Sequence, residues 1–106
     1  SFSCLHWIKD QKLALQNIKT HLKPQARAIF VTFPRCASFW DPIEIIVQKE
    51  KWKSFFAKDP KPYHFLDSTQ YQSLLAEVGL KILMIETTSD VTKFVGKQGF
   101  QDYVKG

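Results

Sequence analysis

Apolar positions follow two rhythms along the chain, one helical and one strand-like. Leu13, Ala14, Ile18 and Leu22 repeat at helical spacing behind Asp10, whose carboxylate suits the first free N–H groups of a helix. That helix is predicted to run to about Leu22. His21 and Lys23 lie near its C-terminus, where positive charge is favoured, and Pro24 stops it. Residues 27–33 form a short, continuous apolar run of β-formers, the pattern of a buried parallel strand. Residues 1–5 read as the tail of another buried strand. A strand, a helix and a strand within about 33 residues make a βαβ unit with a right-handed crossover.

Pro34 ends the second strand, and 35–42 is predicted as a loop that covers a site. Residues 43–58 read as a helix with Ile43, Ile46, Val47, Trp52, Phe55 and Phe56 on its apolar side. Asp59-Pro60-Lys61-Pro62 breaks it, and Tyr63-His64-Phe65 leads out. Asp67 or Ser68 caps a further helix with Tyr71, Leu74, Leu75 and Val78 as its stripe. Gly79 closes that helix, because a residue without Cβ adopts the left-handed turn at little cost. Residues 80–85 are a third strand, and 97–104 a last short helix. The pattern is α/β: a partial, Rossmann-like sheet made of the βαβ unit, helices and one antiparallel strand.

Composition narrows the class. A chain of 106 residues fits one domain or part of one. Nine Phe, three Trp and three Tyr are enough for a sizeable core and argue against disorder. The net charge of +5 is spread over lysines that alternate with acids and amides, so a nucleic-acid footprint is not expected. Cys4 and Cys36 lack CxxC spacing and make no disulfide framework. Reduced thiols in a cytoplasmic protein are expected, with Cys4 buried. No run approaches the roughly 20 apolar residues of a membrane span, and residues 1–10 lack the pattern of a signal peptide. The three histidines and two cysteines show no zinc-ligand spacing. The chain opens on a strand end rather than on Met. It is therefore expected to be part of an enzyme whose preceding unit is absent.

In open α/β sheets, ligands bind beyond the carboxyl ends of parallel strands. Two such ends exist, 1–7 and 33–40. Each carries a hydroxyl and a Trp, and the second adds Arg35. His6 reads equally as a ligand contact or as a loop histidine bonded to backbone, and Trp7 and Trp40 as ligand contacts or as packing.

Those residues resemble a known family. Ser1-x-Ser3-x-Leu5-His6-Trp7-x-x-Asp10, then Leu22-Lys23-Pro24 and a strand, is similar to the middle of class I S-adenosylmethionine-dependent methyltransferases. Tyr71-x-x-Leu74-Leu75-x-x-Val78-Gly79-Leu80 looks like the family's helix before its antiparallel strand. The tail Thr87-Thr88 … Phe94 … Phe100-x-x-Tyr103-Val104 is most like the trans-aconitate and juvenile-hormone-acid branch, which methylates small carboxylic acids. The resemblance makes residues 1–106 the C-terminal portion of a single methyltransferase domain. The family's Gly-rich loop and its acidic ribose-binding residue have no counterpart in these residues. The family's usual Pro-Gly-Gly turn is Pro24-Gln25-Ala26 here.

The resemblance implies S-adenosyl-L-methionine as cofactor, with Ser1, Ser3, Leu5, His6 and Trp7 along its methionine side. Arg35, Phe39 and Trp40 would face the substrate, a small or carrier-bound carboxylate such as the malonyl carrier-protein of biotin synthesis. No catalytic base is implied, because a carboxylate is already a nucleophile at neutral pH. Arg35 or the Trp40 indole would orient it. Without the family's first half, the chain alone is expected to be inactive, to bind cofactor weakly, and to self-associate through a bare sheet edge. The rival is a non-catalytic, basic α/β module that grips a protein or nucleic acid with residues 34–42 and the following helix.

Overall fold

The computed structural model describes residues 1–58, 61, 63–89 and 91–105. A 3₁₀ turn, Leu5–Trp7, precedes helices α1 (Gln11–His21), α2 (Ala37–Val47), α3 (Glu50–Lys53), α4 (Ser68–Glu77) and α5 (Gly96–Lys105). None of these helices is long and apolar enough to cross a membrane.

The helix ends follow local chemistry. The Asp10 carboxylate accepts from Leu13 N at 2.9 Å and starts α1. At α4, Gln70 N donates to Asp67 Oδ1 at 2.8 Å while Asp67 N donates to Gln70 Oε1 at 2.9 Å, a reciprocal capping box. At the other end, Leu80 N donates to the Leu75 carbonyl and Gly79 N to the Ala76 carbonyl, both at 2.9 Å. This Schellman closure holds Gly79 at φ 72°. A Cβ there would also stand 2.7 Å from Lys19 Nζ, but that flexible tip moves aside cheaply. Gly79→Ala is therefore expected to cost about 1–2 kcal/mol, through the left-handed backbone. Urea titration followed by circular dichroism checks this.

The first segment pairs in parallel with the run after α1. Ser1 N donates to the Ile29 carbonyl at 2.7 Å. Val31 N donates to the Ser1 carbonyl, and Ser3 N to the Val31 carbonyl, both at 2.8 Å. The ladder is one bridge long, Phe2 with Val31, and no longer strand forms among the described residues. One parallel bridge is all that the described residues show of the sheet expected from the pattern. Residues 80–85 have no ladder partner among the described residues, and Leu83 and Met84 are exposed. Apolar residues make a strand only when another backbone takes up its N–H and C=O groups.

Two other expectations change. The 35–42 loop is mostly helix, because α2 begins at Ala37 and runs through Pro42. Extended Cys36 starts it, accepting from Trp40 N at 3.0 Å. Pro42 removes one helical N–H without preventing the turn. The long helix expected over 43–58 breaks at Gln48, and α3 restarts after Lys49. Asp59, Pro60 and Pro62 of the expected breaker lie outside the described residues. Cys4, expected to be buried, is exposed. It follows Ser3, whose φ of 51° turns the chain off the strand end.

The core joins Leu5, Leu15, Tyr71 and Val78, with Ile8, Ile18, Phe30, Leu66, Leu74, Leu75 and Leu80 packed against it. It glues α1 to α4 and sets the 3₁₀ turn on top. Outside this core the chain is open. Its radius of gyration is 17.0 Å, against about 13 Å for a compact domain of this length. Phe2, Ile29, Ile45, Phe55 and Val95 are bare.

Candidate functional site

The two expected strand ends, 1–7 and 33–40, meet in one aromatic cluster. Because Leu5 is anchored in the core, the 3₁₀ turn places His6 and Trp7 beside the start of the next segment. The His6 ring is buried and stacks on Phe65, with centroids 5.3 Å apart and planes at 18°. Phe33 meets it edge-on at 6.0 Å, and Trp7 lies 5.1 Å away. Because α2 begins at Ala37, its first turn brings Trp40 over Tyr63 at 4.1 Å, Phe65 at 5.4 Å and Trp7 at 6.3 Å. Phe39 closes edge-on against Trp40 at 5.1 Å. Each such ring pair adds about 0.5–1.5 kcal/mol beyond the area it buries. Trp7 keeps half of its surface open.

A charged clamp sits at one side of the rings. Arg35 donates to Asp41 Oδ1 at 2.5 Å and to Glu44 Oε1 at 2.8 Å. Lys61 reaches Glu44 Oε2 at 2.8 Å, and the Tyr63 hydroxyl donates to Glu44 Oε1 at 2.6 Å. Lys61 first, then Tyr63 and Arg35, hold the Glu44 carboxyl down at about 2. Burial, and then the bond to Glu44, push the Tyr63 hydroxyl up to about 12. Glu44 and Asp41 raise Arg35, which stays charged at any working pH. Burial lowers His6, so its ring is neutral at pH 7.

The Glu44 shift has a pH consequence. Its folded value lies below that of an unfolded carboxylate, so the unfolded chain binds the extra proton. The stability it lends is complete above about pH 4.5 and is lost as pH falls toward about 2. In urea titrations from pH 6 to pH 2.5, Glu44→Gln should flatten the loss over that window. An unchanged acid profile in the variant would contradict the clamp.

Of the residues singled out by sequence, His6, Trp7, Phe39 and Trp40 come together. Ser1 and Ser3 are exposed beside the parallel bridge. Leu5 is a core residue whose side chain faces α1 and α4. Arg35 is adjacent but already holds two carboxylates. His64, read from sequence as a loop residue, is half-buried, and its N–H donates to the His6 carbonyl at 2.6 Å. Tyr63, Phe65 and Glu44 were not candidates, and their pairing with the strand ends is set by long-range packing. The aromatic pair flanking His64 was the one local hint.

A family model described as "Methyltransferase domain" matches residues 1–85. The chain is similar to the juvenile hormone acid O-methyltransferase of Drosophila melanogaster, with 28% identity covering 99% of this chain and 37% of that protein. It is also similar to putative methyltransferase 235L of Invertebrate iridescent virus 6, with 24% identity covering 76% of this chain and 31% of that protein. The chain thus spans about a third of the length of these curated relatives. No solved structure matches significantly.

Proposed function

Because this chain belongs to the methyltransferase domain family, the class I S-adenosylmethionine-dependent methyltransferases, we propose that the whole protein methylates a lipophilic carboxylic acid. In this reading the described residues form one wall of the pocket, as the C-terminal portion of a single domain. The observation that carries it is the meeting of two strand ends in the His6–Trp7–Trp40 cluster, beyond a parallel bridge. Family membership brings a Rossmann-like α/β fold, and we extend the Phe2–Val31 bridge into its sheet. Phe2 and Ile29, bare here, would then be covered by neighbouring strands, or by a second copy where those are missing.

The residues fit one side of S-adenosylmethionine. Ser3 turns off the strand at φ 51° beside exposed Ser1, and Trp7 offers a half-open indole face. When bound, this cofactor supplies a methyl group on a positively charged sulfur. Ser1, Ser3, His6, Trp7 and the backbone at Leu5 would hold its methionine side. Phe39 and Trp40 would hold the acceptor and exclude water from it. Of the two groups able to orient the carboxylate, the Trp40 indole N–H carries the proposal, since Arg35 would first have to leave Asp41 and Glu44.

Two features support a lipophilic acid over the malonyl carrier-protein. Helix α2 leaves Ile43, Ile45 and Ile46 exposed just beyond Trp40, and one relative is named for a hormone acid. The test is transfer of labelled methyl from S-adenosylmethionine by the intact protein to long-chain acids, their alcohols and malonyl carrier-protein. Ester formation on the free acids alone is expected. Labelling of the alcohols or of none would defeat the reading.

A further inference from the structure

The polar groups behind His6 close into a ring. Thr32 Oγ1 lies 3.4 Å from His6 Nδ1 and 3.5 Å from the Tyr71 hydroxyl. The Tyr71 hydroxyl donates to Gln11 Oε1 at 2.8 Å, and Gln11 Nε2 donates to the His64 carbonyl at 2.5 Å. The His64 N–H completes the ring at the His6 carbonyl. Gln11 and Tyr71 are both more than nine-tenths buried. This network joins α1, α4, the second strand segment and the 63–65 segment at a single imidazole.

Counting protons gives the ring a direction. The Gln11 amide must point its NH₂ at the His64 carbonyl, so its oxygen faces Tyr71 and can only accept. Tyr71 has a single hydroxyl proton, and Gln11 takes it. The Tyr71 oxygen is then left as an acceptor toward Thr32. If Thr32 donates there, its own oxygen is free to accept from His6 Nδ1–H, and every contact has one donor and one acceptor. If Thr32 instead donates to Nδ1, the Thr32 and Tyr71 oxygens face each other with no proton between them.

We propose that Gln11, Tyr71 and Thr32 are positioning residues that hold neutral His6 as the Nδ1–H tautomer, presenting Nε2 as a lone-pair acceptor to a ligand N–H or O–H. No described group bonds Nε2, yet no buried side-chain nitrogen or oxygen among the described residues lacks a partner. Any solvent contact this nitrogen keeps is slight, because His6 as a whole is only 4% exposed. The chemical class it selects is a hydroxyl or an ammonium. A bare carboxylate oxygen would meet it lone pair to lone pair, which leaves the acid of the acceptor to an indole N–H. The ligand half of the proposal rests on the pocket reading above; the tautomer half does not.

Long-range ¹H–¹⁵N spectra of the intact protein, with ¹⁵N-labelled histidine at pH 8, read the tautomer directly. His6 is assigned by the signal lost in His6→Gln. The expected pattern is a protonated-type Nδ1 and an unprotonated-type Nε2 at His6. Tyr71→Phe removes the acceptor for the Thr32 proton, which then turns to Nδ1 and inverts the pattern. Thr32→Val inverts it as well, because the ring N–H then does better facing solvent. A wild-type His6 protonated on Nε2 would overturn the proposal, and that spectrum needs no variant to fold. Retention of Nδ1–H in both folded variants would also overturn it. Adding S-adenosylhomocysteine to the wild-type sample separates the two halves. A tautomer as expected, with a His6 that the ligand never shifts, would sink the pocket reading alone.

Discussion

Leu15→Ala should destabilise the chain by about 2–5 kcal/mol, enough to remove much or all of its stability at 25 °C. Leu15 has no exposed surface and is the residue around which Leu5, Tyr71 and Val78 close. Truncating it removes buried methyl groups and leaves a cavity that α1 and α4 can collapse only partly. The buried cluster is small and the chain is expanded, so its total stability is expected near the low end of the usual 5–15 kcal/mol. Leu13 is the control, since it lies on the same helix but is about half exposed. Leu13→Ala should stay within about 0.5 kcal/mol of the parent. Thermal and urea unfolding by circular dichroism measure both. A Leu15→Ala chain that melts with the parent would show that the core lies elsewhere.

Trp40→Ala should lower kcat/KM for the acid acceptor by about 10–100-fold, equivalent to about 1.4–2.7 kcal/mol of transition-state binding. Trp40 is the one ring in contact with Trp7, Phe39, Tyr63 and Phe65 together. Removing it opens the acceptor side to water and deletes the indole N–H. The loss should fall on the acceptor more than on the cofactor, because His6 keeps its own stack on Phe65. Trp52 supplies the comparison. It contacts Phe55 and Lys51 on a separate helix, and Trp52→Ala should leave kcat/KM within about twofold, a shift of less than 0.5 kcal/mol. Steady-state kinetics on the intact protein decide the matter. A Trp40 variant with parental kinetics would remove this residue from the acceptor wall.

What the sequence made legible was whatever short-range chemistry decides. Asp10 and Asp67 cap helices through their own carboxylates, and Gly79 closes α4 because its turn needs positive φ. The strand-end rule picked out residues 1–7 and 33–40 because it needs only the order of strand, helix and strand; His6, Trp7 and Trp40 of those ends lie together, while Phe39 was reached only through the family resemblance. Local pattern failed at Pro42, which looked like a boundary yet lies inside α2. Nothing local in the sequence marks Glu44, the carboxylate on which Arg35, Lys61 and Tyr63 converge. Tyr71 reads as part of an apolar stripe, and nothing in the sequence marks Gln11. Only the packing of α1 against α4 makes them a buried hydrogen-bonded pair. Strand pairing beyond Phe2 and Val31 was equally out of reach, since an apolar run says nothing of which backbone lies beside it.

The central claim is that the first strand end is a cofactor wall. Its most direct test is a titration of the intact protein with S-adenosylhomocysteine, followed through the indole N–H signals of Trp7, Trp40 and Trp52. The account predicts that Trp7 moves first and furthest, that Trp40 follows weakly, and that Trp52 stays still. Saturable binding that leaves Trp7 in place, or no binding at all, would contradict it.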